Sequence, residues 1–277
     1  PGILPPLTLE EAVEATRVHS VAGLLNGGEP ILRNRPFRAP HHTTSDGGMV
    51  GGGRIPRPGE VSLAHNGVLF LDELPEYRRN VLEALRQPLE DGHVVLSRAR
   101  LSLRFPSRFM LVAATNPCPC GWFGDGTDRC LCDPATVSRY RARISGPLLD
   151  RIDLHVPVGR VAFQELEGKG NGTESPAIRE RVREARAVQA RRFRNRPGIH
   201  CNGQMGPTEI RRFCRPSAEV ARLLQTALER LQLSARAYHR ILKVARTVAD
   251  LEGGSEIAPS HVAEAIQYRS LDRAAPV

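Results

Sequence analysis

Gly67-Val68-Leu69-Phe70-Leu71-Asp72-Glu73 is the stretch that decides the fold. Four apolar residues in a row suit a strand buried on both faces of a parallel sheet, and such a strand offers its carboxyl end to ligands. Asp72 at that end can hold Mg²⁺, directly or through water, as the metal bridges phosphates; Glu73 beside it can polarise an attacking water. This is the form of a Walker B strand. Taken alone it is also an ordinary strand end with an acidic pair, so the flanking sequence has to decide.

Downstream, residues 77–90 predict a helix stopped by Asp91-Gly92, and residues 93–105 alternate as a hairpin. Phe109–Ala114 predicts a second buried strand, which delivers Thr115-Asn116 at its own end. A polar residue there, Asn116, occupies the sensor-1 position that orients water near a γ-phosphate. Leu148-Leu149-Asp150-Arg151 then leads into a third apolar run, Ile152–Val156, read as a strand. An Arg at 151 can reach a neighbouring subunit's nucleotide and stabilise transferred charge; the alternative is a surface Arg paired with Asp150 or Asp153.

Upstream, residues 7–25 predict a helix that Thr8 and Glu11 cap reciprocally. Residues 26–60 are rich in Gly, Pro and His and read as irregular. Beyond residue 160 the polar, Gly-rich 166–176 reads as part of a linker. Only helices follow: Pro176–Phe193 behind a Ser175 cap, Ser217–Gln232, Ser234–Leu251 and Pro259–Arg269. The expected fold class is therefore α/β, a parallel sheet with helices, followed by an all-α lid. The expected boundaries are 1–160 for the core, 161–176 for a linker and 177–277 for the lid.

The formal charge of +9 is uneven: residues 1–160 carry 19 Arg against 17 acids, and residues 161–277 carry 20 basic residues against 13. A basic second half favours a polyanion such as nucleic acid. Only Lys169 and Lys243 are lysines, however, and such Arg bias also follows from a GC-rich genome. No run of 18 apolar residues predicts a membrane span, and no secretory leader is evident, so a cytoplasmic protein is expected.

Four of the six cysteines, Cys118, Cys120, Cys130 and Cys132, fall within fifteen residues. With no secretory leader they read as ligands for structural Zn²⁺ before disulfides; ordinary partly buried thiols are the alternative. Adjacent His41 and His42 are expected to point in different directions and to meet backbone or DNA phosphate rather than a metal.

Further segments give a specific resemblance. Arg35-Pro36-Phe37-Arg38-Ala39-Pro40-His41-His42-Thr43-Thr44-Ser45, Gly59–Asn66, Ala114–Gly121, Ser145–Asp153 and Leu233–Arg240 together resemble the magnesium-chelatase-like ComM/YifB group of AAA+ ATPases. The resemblance implies an incomplete P-loop NTPase core with its helical lid, using ATP and Mg²⁺ in a homo-oligomeric, hexameric ring. It also implies an activity, ATP-driven branch migration of branched or single-stranded DNA during natural transformation. Carried over by position, Asp72 and Glu73 are Walker B, Asn116 sensor 1, Arg151 the arginine finger and Arg236 sensor 2. The hairpin at 92–105 and an insert within 40–60 face the ring pore in relatives, which makes Arg98 and Arg100 candidate DNA contacts.

The sequence departs from that pattern in one respect: no G-x-x-x-x-G-K-S/T phosphate loop occurs in it. The chain by itself is therefore expected to bind ATP weakly and not to hydrolyse it. A metal-chelatase motor driving Mg²⁺ insertion and a non-hydrolysing ring scaffold are the alternative functions.

Overall fold

The computed structural model describes residues 2–25, 30–98, 101–159 and 172–269. The chain divides into two compact units, one spanning Pro6–Arg151 and the other Ile152–Val277 together with Gly2–Pro5. The interior of the predicted linker at 161–176 lies largely outside the described residues, as does Arg100.

In the first unit the strands are β1 (Phe37–Arg38), β2 (Gly51–Gly52), β3 (Arg57–Pro58), β4 (Val68–Leu71), β5 (His93–Arg98), β6 (Leu101–Pro106) and β7 (Met110–Ala113). Three of them make a parallel sheet in the order β1-β4-β7, with Val68 opposite Met110 and Leu71 opposite Ala113. Val68, Leu69 and Leu71 are buried, each contributing about 1.5–3 kcal/mol of transfer free energy. The glycine before β4 is a steric necessity. A Cβ at Gly67 would lie 2.0 Å from the Pro36 carbonyl oxygen, which accepts the Val68 N–H at 2.8 Å.

Helices Leu9–Ala22, Glu60–Leu63, Arg79–Ala84 and Arg86–Asp91 surround this sheet, with Leu69, Leu71, Val81, Leu82, Leu85 and Leu148 in the core. The predicted capping box is present: Thr8 Oγ1 accepts the Glu11 N–H and Glu11 accepts the Thr8 N–H. The predicted helix over 77–90 is two short helices meeting at Leu85. Pro88 has no N–H to continue the ladder from the first into the second. Gly92, at φ 66°, ends the pair, and β5 and β6 follow as the predicted antiparallel hairpin.

Two strand expectations need correction. β7 is not covered on both faces. It is an edge of the three-stranded sheet, with Met110 51% and Val112 39% exposed. Ile152–Val156 is not a strand: Leu154 and Val156 are exposed, and the segment meets the last helix of its own unit instead. There the His155 N–H donates to the Tyr268 carbonyl at 2.7 Å, and Arg269 donates to that of Ile152 at 2.5 Å.

The described part of the second unit is helical: Ser175–Arg192, Pro207–Phe213, Ala218–Leu231, Ala235–Leu251 and Pro259–Gln267. Ser217 and Ser234 cap their helices through side-chain oxygens. Ser175 is already helical and Glu174 takes the cap position, one residue earlier than read from the sequence. Leu224, Ile241, Leu242, Val262 and Ala265 fill the core. Beside it, buried Asp250 accepts both guanidinium nitrogens of Arg192 (2.5 and 2.6 Å), the Asn202 amide (2.8 Å) and Arg246 Nε (3.1 Å).

Candidate functional site

β4 and β7 run in parallel and end together. The Ala114 N–H donates to the Leu71 carbonyl and the Leu74 N–H to that of Ala114, both at 2.9 Å. These two bonds set Asp72-Glu73 and Thr115-Asn116 on neighbouring strand ends, all four exposed. Asp72 Oδ1 accepts the Glu73 N–H at 2.9 Å. Glu73 is left-handed, at φ 50°, ψ 48°, and opens the 3₁₀ turn Leu74–Glu76. That conformation is uncommon for a side chain other than Asn, Asp or Gly.

The chain leaving β1 forms the other wall. The His41 and His42 rings lie together, centroids 4.0 Å apart, rather than pointing in different directions. His41 Nδ1 is 2.9 Å from Thr43 Oγ1, which turns its ring back along its own segment. His42 Nδ1 lies 3.7 Å from Glu73 Oε2, and its ring meets Tyr77 edge-on at 6.4 Å. Tyr77 fixes this wall by donating its hydroxyl to the Pro40 carbonyl at 2.5 Å. Burial, and next the charge of Asp72, push the Tyr77 phenol above its ordinary pKa, so it stays a neutral donor. The contact of His42 with Glu73 was not foreseen from the sequence. No residue spacing signals it, because it depends on the path of the chain leaving β1.

Several arginines of the resembling segments have structural work. Arg35 holds Glu11 (2.7 and 2.9 Å) and the Asn66 carbonyl (2.7 Å), pinning the first helix to the approach to β4. Arg38 forks onto both oxygens of Glu60 at 2.6 and 2.8 Å. Arg151 is mostly buried, paired with Glu90 and donating to the Pro147 carbonyl at 2.6 Å. It is thus held inside the first unit by Glu90 rather than lying on the surface. Asp153 pairs with Arg240 at 2.5 Å. Arg236 is exposed on the first turn of Ala235–Leu251. Arg98 closes β5.

The four clustered cysteines meet in space. Their sulfurs all lie within 4.8 Å of one another, with Cys118 3.3 Å from Cys120 and 3.8 Å from Cys130, and Cys120 3.7 Å from Cys130. Burial opposes ionisation of Cys118, but hydrogen bonds from Cys120, the Phe123 N–H, Cys130 and the Trp122 N–H outweigh it and bring that thiol down to about 6. Cys132 accepts the Cys120 N–H, which favours its thiolate. The Cys120 thiol, burial and the Cys118 charge together prevail and push it up to about 12.

A profile of the family described as Magnesium chelatase, subunit ChlI, matches residues 1–166, and that of its C-terminal part matches residues 172–269. The chain belongs to the magnesium-chelatase-like AAA+ ATPase family. Within that family it is 47% identical over 274 residues to Competence protein ComM of Haemophilus influenzae, covering 98% of this chain and 52% of the relative. It is 44% identical over 277 residues to YifB of Escherichia coli, again covering 98% of this chain and 52% of the relative. The magnesium-chelatase 38 kDa subunit of Acidiphilium rubrum matches at 37% over 60 residues, 22% of this chain and 17% of that one. The chain thus spans about half the length of the curated relatives it matches along its whole extent. As in the family, a parallel sheet with helices precedes a helical region. Among the described residues no helix is long and apolar enough to cross a membrane.

Proposed function

We propose that this chain is the Walker B, sensor and lid portion of an ATP-hydrolysing ring motor that acts on DNA, as a branch-migrating or helicase-like enzyme of the cytoplasm. The observation that carries the reading is the paired ending of β4 and β7, which sets Asp72-Glu73 beside Asn116. In this reading Asp72 holds Mg²⁺ of a bound nucleotide, Glu73 takes a proton from the attacking water and Asn116 orients that water. Arg151 and Arg236 act on nucleotide from a ring of six copies; Arg151 must then exchange Glu90 for the neighbour's γ-phosphate. The hairpin β5–β6 with Arg98 and Arg100, and the segment at His41 and His42, supply DNA contacts. The four-cysteine excursion is a structural part of the reading, because four thiolates leave a bound ion no open position for chemistry.

Match along nearly the whole chain to a relative named for competence, against 60 residues for the chelatase subunit, supports a DNA substrate. The family profiles themselves favour a second reading, an ATPase driving metal insertion. The two separate in one experiment on the natural protein including its phosphate loop, with ATP hydrolysis measured with and without forked DNA. Stimulation by DNA, lost in Glu73→Gln with a fall of about 10²–10⁴ in kcat, is the expected result. Hydrolysis indifferent to DNA moves the assignment to metal insertion, and no hydrolysis at all moves it to a scaffold.

A further inference from the structure

We infer that Cys118, Cys120, Cys130 and Cys132 bind one structural zinc ion that fixes the excursion between the sensor strand and the following helix. With Zn–S bonds of about 2.3 Å, four tetrahedral thiolates stand about 3.8 Å apart. The sulfur separations of 3.3, 3.7 and 3.8 Å bracket that distance. The backbone is shaped to turn around the ion: Gly121, Gly124 and Gly126 are left-handed at φ 81°, 77° and 77°. A Cβ at any of them would meet nothing within 4 Å, so they are required for their φ and not for space.

The site also has no competing explanation in its own packing. Outside the cysteines the excursion is largely exposed, with Leu131 91% accessible, so no apolar core holds it together. Both of its ends matter. Cys118 follows Asn116 by two residues, and Cys132 precedes Asp133, whose side chain caps the helix Pro134–Arg141 by accepting the Thr136 N–H at 2.8 Å. From the far end of that helix Arg141 returns to the Pro117 carbonyl at 3.2 Å and lies over the Phe123 ring at 5.0 Å. Zinc would close this circuit and set the position of the loop that carries Asn116.

The chain offers its own reporter. Trp122 is its one tryptophan, with Arg129 stacked over the ring at 5.1 Å. The test is made on protein purified without chelator from zinc-supplemented medium, with no nucleotide or DNA present, so that its outcome is independent of motor activity. We expect about one zinc per chain by elemental analysis. Cys130→Ser with Cys132→Ser should lose it, and Cys201→Ser should keep it. Cobalt exchanged into the unmodified protein should show thiolate charge transfer and tetrahedral visible bands, a result that does not depend on the variants folding. Chelation should shift Trp122 emission, and added zinc should restore it. Zinc far below one per chain, cobalt without thiolate bands, or zinc retained by the double variant would overturn the site. Zinc leaving with no change in Trp122 emission would overturn its role in holding the excursion.

Discussion

Asp250→Asn is a perturbation whose cost can be worked from the structure. The Asp250 side chain is fully buried and is, among the described residues, the acid shared by Arg192, 12% exposed, and Arg246, 3% exposed. Asn keeps the shape but removes the charge, and its NH₂ turns toward donors, so two guanidinium groups face each other without an anion. Removing one partner of a buried pair costs about 3–5 kcal/mol, because the other charge stays desolvated. Arg246 retains the Gly254 and Ser255 carbonyls at 2.6 and 2.8 Å, which places the expected loss at the lower end, about 3 kcal/mol. Against a domain stability of about 5–15 kcal/mol this is large. At roughly 4 °C per kcal/mol the melting transition of the helical unit should fall by about 12 °C. Circular dichroism at 222 nm, read during urea and thermal unfolding, measures it. The triple change Arg192→Met, Arg246→Leu and Asp250→Leu, which leaves no buried charge without its partner, should recover much of the loss, as apolar replacement of buried ion pairs and triads does elsewhere. A loss below about 1 kcal/mol for Asp250→Asn would refute the claim that this cluster is a desolvated charge network.

Thr8→Ala removes the Oγ1 acceptor of the Glu11 N–H while the backbone N–H at position 8 keeps the Glu11 carboxylate, so unfolding of the first unit should ease by about 1 kcal/mol in urea titrations. Cys214 is buried and its thiol is pushed up to about 11, first by burial, so its reactive thiolate forms in quantity only toward that pH. Alkylation of native protein at pH 8 should leave Cys214 unmodified while urea-unfolded protein is labelled, as peptide mass mapping will read. The sign of its pH dependence follows: with the folded pKa above the unfolded one, stability from this group is lost as pH rises past the usual thiol value of about 8.5.

The parts of this fold that sequence declares are those with local causes. Val68–Leu71 could be read because four apolar residues and two acids state both burial and direction. Thr8 could be read because its cap is satisfied within three residues, whereas Ser217 and Ser234, read as the first residues of their helices, are the caps just before them. β1 could not: Phe37-Arg38 is a strand only because β4 lies beside it, and a two-residue partner leaves no period to detect. Ile152–Val156 failed for the converse reason. Its apolar pattern is sound, yet whether a neighbouring strand exists is a property of the sheet and not of the segment. At the site, Asp72, Glu73 and Asn116 were named from strand ends, which topology brings together. The meeting of His42 with Glu73 and of Arg151 with Glu90 depends on loop paths that no residue spacing encodes.

The left-handed backbone at Glu73 carries a consequence for how variants of this position will behave. Folding by itself would prefer Gly, Asn or Asp there, since a carboxylate on a longer stem gains nothing from φ 50° and costs on the order of 1 kcal/mol. On the proposed reading, position 73 is thus a place where the demands of a reactive carboxylate and those of a relaxed chain diverge. Glu73→Gly belongs to the class of changes that make a protein sturdier while emptying its site, so abundance and thermal resistance are poor guides to function at this position.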